Sequence, residues 1–146
     1  MSVDSSFIRL IAELGHDLGI AGLAPSDEGI CQLVFDGRHV VQMMHLQARD
    51  LVLVSCRLAD HGIDAGQAER MARANFMQAG HGVVLCVDPE GRPCMQAALG
   101  PAGCTAAALC ALLESLLNQA EAWPGAQDRA TGASGVRDPS VFLQSV

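Results

Sequence analysis

Apolar residues recur at spacings of three and four from Ser5 to about Leu18, at Phe7, Leu10, Ile11, Leu14 and Leu18. That period predicts one buried face of an amphipathic helix, with Asp4 or Ser5 as its cap. Gly15 and Gly19 weaken its C-terminal end, and Pro25-Ser26-Asp27 reads as a loop. Three strand-like runs follow, Ile30–Phe35, His39–Leu46 and Asp50–Leu58. Asp36-Gly37 separates the first two and predicts a tight hairpin, because glycine accepts positive φ at no steric cost. Short links make an antiparallel meander the economical arrangement of the three.

A second helix is predicted from about Ala65 to Ala79 behind an Asp64 N-cap, stopped by Gly80 and Gly82. Val83–Asp88 and Pro93–Leu99 flank Pro89-Glu90-Gly91 and form a second hairpin. A last helix runs from about Ala102 to Trp123, with Leu109, Leu113, Leu116, Ala120 and Trp123 as its apolar stripe. Pro124 ends it. Gly125–Ser140 has no periodicity, so residues 124–146 are expected to be a disordered tail, and the short apolar run Val141–Leu143 has no assigned place. Residues 1–123 then form one domain of order α-β-β-β-α-β-β-α, an α+β fold with helices packed on an antiparallel sheet.

A two-residue turn at Asp36-Gly37 sets Leu33 opposite Val40 and Ile30 opposite Met43. One sheet face then carries Cys31, Leu33, Phe35, Val40, Met44 and Leu46. The other carries Ile30, Val34, Val41 and Met43 among Gln32, His39 and His45. Both faces are substantially apolar, whereas a sheet with one solvated face alternates apolar with polar. The second face must be covered by a helix of the same chain, by a second copy or by another polypeptide.

Composition narrows the possible partners. The chain has 146 residues with a formal net charge of -7. Its 9 basic residues are all arginine. This balance argues against nucleic acid, whose affinity depends on neutralising phosphates, and against an anionic membrane surface. Half of the residues (50%) are apolar, only 17% are charged, and the mean hydropathy is +0.26. With so little charged surface, some apolar area is expected to meet another chain. No run is long enough for membrane insertion and no basic signal-like N-terminus is present, so a cytoplasmic location is expected.

Candidate chemistry is thin. Cys31, Cys56, Cys86, Cys94, Cys104 and Cys110 lie in apolar runs and read as reduced, structural thiols. Cys86 and Cys94 stand on opposite arms of a hairpin, where they pair or merely pack. No zinc-ligand spacing, nucleophile elbow or phosphate loop is present, and the five histidines are scattered. No catalytic, cofactor or metal residue is therefore assigned, and no enzymatic activity is expected.

The stretches FIRLIAELGHDLGI leading to DEGICQLVFD, DLVLVSCRL, and ANFMQAGHGVVLCVDPEG carry a resemblance. In their joint order, over nearly all of residues 5–123, the chain resembles the class I chaperones of bacterial type III secretion, the Tir-chaperone or CesT-like family. Leu99-Gly100-Pro101 departs from the leucine directly before proline common in such proteins. The resemblance implies a homodimeric bacterial cytoplasmic chaperone that needs no ATP. Its client would be the N-terminal segment of a secreted effector, kept soluble and competent for secretion. Family position puts the dimer interface on Met71, Asn75 and Phe76, with Val83 and Leu85; burial within one subunit is the rival reading for Phe76 and Leu85. The expected client surface is Ile30, Val34, Val41 and Met43, with Leu10 and Leu14 of the first helix. An adaptor of the same fold that sequesters a partner, and a small metal-binding protein, are the alternatives.

Overall fold

The computed structural model describes residues 3–78, 82–123 and 141–144. Helix α1 spans Ser5–Leu18, with Asp4 as N-cap accepting from the Ser6 amide. Its buried residues Phe7, Leu10, Ile11 and Leu14 are the predicted stripe. Gly19 closes the helix in the left-handed conformation at φ 75°. Gly15 has a packing role as well: a Cβ there would come within 2.6 Å of Leu23 Cβ and 2.8 Å of Ile20 O. The chain can double back against the helix only because that side chain is missing.

Strands β1 (Ile30–Phe35), β2 (His39–Leu46) and β3 (Leu51–Arg57) form the meander. Helix α2 covers Ala65–Ala74, β4 Val84–Val87, β5 Pro93–Leu99 and α3 Ala106–Glu121. A further strand, β6, covers Val141–Gln144. The sheet order is β4-β5-β3-β2-β1-β6, and every described pairing is antiparallel. The α+β class and the predicted element order hold. Of the expected disordered tail, residues 124–140 and 145–146 lie outside the described residues, whereas Val141–Gln144 pairs with β1.

Two helix boundaries differ from the periodicity. Helix α2 stops at Ala74, and Phe76–Gln78 makes a short 3-10 turn with Met77 at φ 53°. Just before this turn the Asn75 side chain bonds the backbone of β4 at Leu85. Ala79 and Gly80, in the predicted continuation and stop, lie outside the described residues. Helix α3 begins at Ala106 because Pro101–Gly103 forms its own 3-10 turn and Thr105 caps the helix, accepting from the Ala108 amide.

The hairpin register corrects the predicted faces. Asp36 and Gly37 both have positive φ, 53° and 67°, and the Arg38 amide donates to Phe35 O at 3.1 Å. The turn is thus the expected tight kind, but Arg38 adds one residue before the ladder closes at Phe35↔His39. Leu33 pairs with Val41 and Ile30 with Met44. A shift of one residue sends every β2 side chain to the opposite face. Val41 and Met43 therefore join Cys31, Leu33 and Phe35, while Val40, Met44 and Leu46 go to the other side.

One core results. Phe7, Ile11 and Leu14 of α1 and Leu109, Leu113 and Leu116 of α3 pack with Leu33, Val41, Met43, Val54 and Met95 of the sheet in a single buried cluster. Both helices thus lie on the same sheet face. Helix α2 buries only Met71 and stands beside β4.

Candidate binding surface

The sheet face opposite α1 and α3 carries Ile30, Val34, Val40, Met44, Leu46 and Leu53, all half-buried. In its middle, Gln42 Nε2 donates to Gln32 Oε1 at 2.9 Å across a directly opposed pair. Exchanging a hydrogen bond spares these amides some of the cost of leaving water, so an apolar partner can lie over them. A groove of about 250 Å³ opens on this face beside Ile30, Met44, Leu53, Cys86 and Asp88. Its far wall is the β4–β5 turn. There the Asp88 carboxylate accepts from the Arg92 amide at 2.9 Å and from Arg92 Nε at 2.8 Å. Burial pulls the Asp88 pKa upward, but these bonds, the Arg92 charge and the Glu90 amide outweigh it and hold the group below its ordinary value. The turn wall is thus a fixed, charged rim on an apolar groove.

The six expected client-binding residues separate. Ile30 and Val34 sit on this open face. Val41 and Met43 are 0% exposed and, with Leu10 and Leu14, belong to the intramolecular core. Val40, Met44 and Leu53 are the open-face residues that the two-residue turn hid or omitted. The five expected interface residues also separate. Met71 is buried, and Val83 and Leu85 are half-buried against the core. Asn75 Nδ2 donates to Leu85 O at 2.8 Å while its Oδ1 accepts from the Leu85 amide at 2.9 Å. Phe76, by contrast, is 73% exposed, and its neighbour Met77 is 83% exposed. Val84 and Val87 on the β4 edge are also exposed. Exposed neighbouring apolar side chains such as Phe76 and Met77, just beyond the end of α2, are of the kind that marks a protein–protein contact.

A cavity of about 540 Å³ lies between the start of α1 and the β2–β3 connection, with Asp4, Asp27, Glu28 and His45 on its walls. Among the described residues no group of three or more His, Cys, Asp or Glu is placed to hold a metal ion. Cys86 and Cys94 are directly opposed on β4 and β5, and all six cysteines are free thiols. Burial pushes the thiols up, Cys56 to about 12 and Cys31 and Cys94 to about 11, which makes them poor nucleophiles. No described helix is long and apolar enough to cross a membrane.

An open apolar face on a sheet is suited to binding another polypeptide. The profile of the Tir chaperone protein (CesT) family matches residues 9–124. The chain belongs to that family. It is a type III secretion chaperone by family and fold, a class without catalytic activity. The chaperone is similar to the structure described as the ExsC-ExsE complex, at 26% identity and TM-score 0.76, covering 92% of this chain and 100% of that one. It shares its fold with the HopA1-SchA chaperone-effector complex, at 22% identity and TM-score 0.70, covering 83% and 97%. The fold also matches the Yersinia pestis type III secretion chaperone SycH, solved with a stable fragment of YscM2, at 19% identity and TM-score 0.65, covering 80% and 98%. No curated protein sequence matches the chain.

Proposed function

We propose that this chain acts in the bacterial cytoplasm as a homodimeric chaperone for the N-terminal segment of a type III secreted effector. The open sheet face carries the reading. Ile30, Val34, Val40, Met44 and Leu53 present half-buried apolar surface on a family member whose structural neighbours include a chaperone-effector complex. An extended client laid over this face sets alternate side chains into the groove, and burial contributes at about 25 cal/mol per Å². Methionine suits such a surface because its flexible, polarisable chain adapts to irregular partners. A net charge of -7 favours a client with a basic flank and keeps the apolar dimer in solution.

For the dimer, the exposed Phe76 and Met77, with Val84 and the outward side of α2, are the natural contact. Asn75 takes an indirect part by holding this corner in shape, and Met71 packs beneath it. The test is affinity capture from the native cytosol with the wild-type chain and a Val34→Asp chain. The wild type should retain a secreted protein whose bound region maps to its N-terminal segment, and the variant should lose it while staying dimeric. Retention of a resident, non-secreted protein alone would replace the escort role with that of an adaptor.

A further inference from the structure

The outer edge of β1 is taken by the chain itself. Strand β6 pairs with it antiparallel, Gln144 opposite Gln32, Leu143 opposite Leu33, Phe142 opposite Val34 and Val141 opposite Phe35. Backbone parity shows which groups this pairing serves. The Ser26 amide donates to Ile30 O at 2.8 Å and the Ile30 amide donates to Ser26 Oγ at 3.3 Å, on the side of β1 away from β2. Phe35 O accepts from Arg38 on the hairpin side. Alternation along an antiparallel strand then directs the N–H and C=O of Gln32 and Val34 to the β6 side. Without β6 these groups are an open template for any extended chain.

A strand of four residues, paired with β1 from Phe35 to Gln32, is a weak occupant. The groove opens beside Ile30, two residues further along β1. A client segment that pairs at Gln32 and runs on toward Ile30 gains apolar contacts at this groove. We propose that β6 is an internal stand-in for the client strand: it shields the β1 edge in the free chaperone and is displaced by an extended apolar client segment in the same antiparallel register. This rests on the chaperone reading above. Tethering gives β6 a local concentration on the order of millimolar, so it excludes weak, non-cognate strands but yields to a client with additional contacts.

The test uses full-length wild-type chain and a full-length Phe142→Pro chain: Phe142 stands opposite Val34, so its N–H belongs to the pairing, and proline there removes that donor. Amide hydrogen exchange is followed at Gln32 and Val34, with Val41 and Val54 as core controls. Exchange at Gln32 and Val34 should accelerate about tenfold or more in the variant, with the controls unchanged. A fluorescent peptide of residues 138–146, DPSVFLQSV, should bind the variant about tenfold or more tightly than the wild type, because no tethered strand competes. It should restore the lost protection, and the same peptide carrying Phe142→Pro should not bind. Equal exchange in the two chains, or equal peptide binding to both, overturns the proposal. No effector enters either measurement, so failure to find a secreted client would refute the escort role separately.

Discussion

Strand β4 lies at the free edge of the sheet, and Asn75 takes the place of a neighbouring strand for one of its residues. The Asp88 amide donates to Arg92 O on the β5 side, so alternation turns the backbone groups of Leu85 outward. Both are met by one side chain, Nδ2 at 2.8 Å and Oδ1 at 2.9 Å. Asn75→Ala removes two hydrogen bonds worth roughly 0.5–1.5 kcal/mol each, so it should destabilise the chain by about 1–3 kcal/mol. At about 2–4 °C per kcal/mol for a chain near this size, Tm should fall by roughly 2–12 °C. Asn75→Asp keeps the acceptor for the Leu85 amide but sets a carboxylate against the Leu85 carbonyl. At pH 7 it should be at least as damaging as alanine. The contact raises the folded-state pKa of that new carboxyl above its unfolded value, so the variant should regain stability as pH falls toward about 4, where a protonated oxygen can donate. Urea unfolding at one fixed protein concentration, over pH 4 to 8, measures both effects. An alanine variant within about 0.3 kcal/mol of wild type, smaller than even one typical hydrogen bond, would refute the clamp.

Met43→Asp should prevent folding, because an unpaired charge in the core costs several kcal/mol out of a total stability of about 5–15. Val34→Asp should leave circular dichroism unchanged and abolish client capture; the pair together tests the corrected register. Phe76→Glu should shift the chain from dimer to monomer in analytical ultracentrifugation without loss of helix signal, and an unchanged dimer would move the interface off the α2 corner. Burial raises the Cys56 pKa to about 12 and those of Cys31 and Cys94 to about 11. The unfolded chain therefore loses these protons first. Stability should be level with respect to these thiols below about pH 8 and fall from about pH 9 upward, and Cys56→Ala should flatten that slope. A pH-independent denaturation midpoint between pH 8 and 10 would contradict it.

Much of this protein was legible along the chain. The spacing of Phe7, Leu10, Ile11 and Leu14 marks α1 and its buried face, Asp64 marks the start of α2, and the runs at 30–35 and 39–46 match β1 and β2. These features are local, set by which side chains sit within a turn or two of one another. The sheet faces were not legible. Val40, Val41, Met43 and Met44 are all apolar, so the pattern reads equally well in either register. A single bulged residue, Arg38, decides which of them enter the core.

Residue chemistry thus determined the elements, the α+β class and the family resemblance, because helix and strand periods, caps and turn residues act over short distances. Only tertiary structure decided that Met43 lies inside and Met44 outside, that Asn75 serves β4, and that Val141–Gln144 finds the β1 edge. Each depends on groups far apart in the chain whose hydrogen bonds and apolar contacts exist only after the sheet has closed.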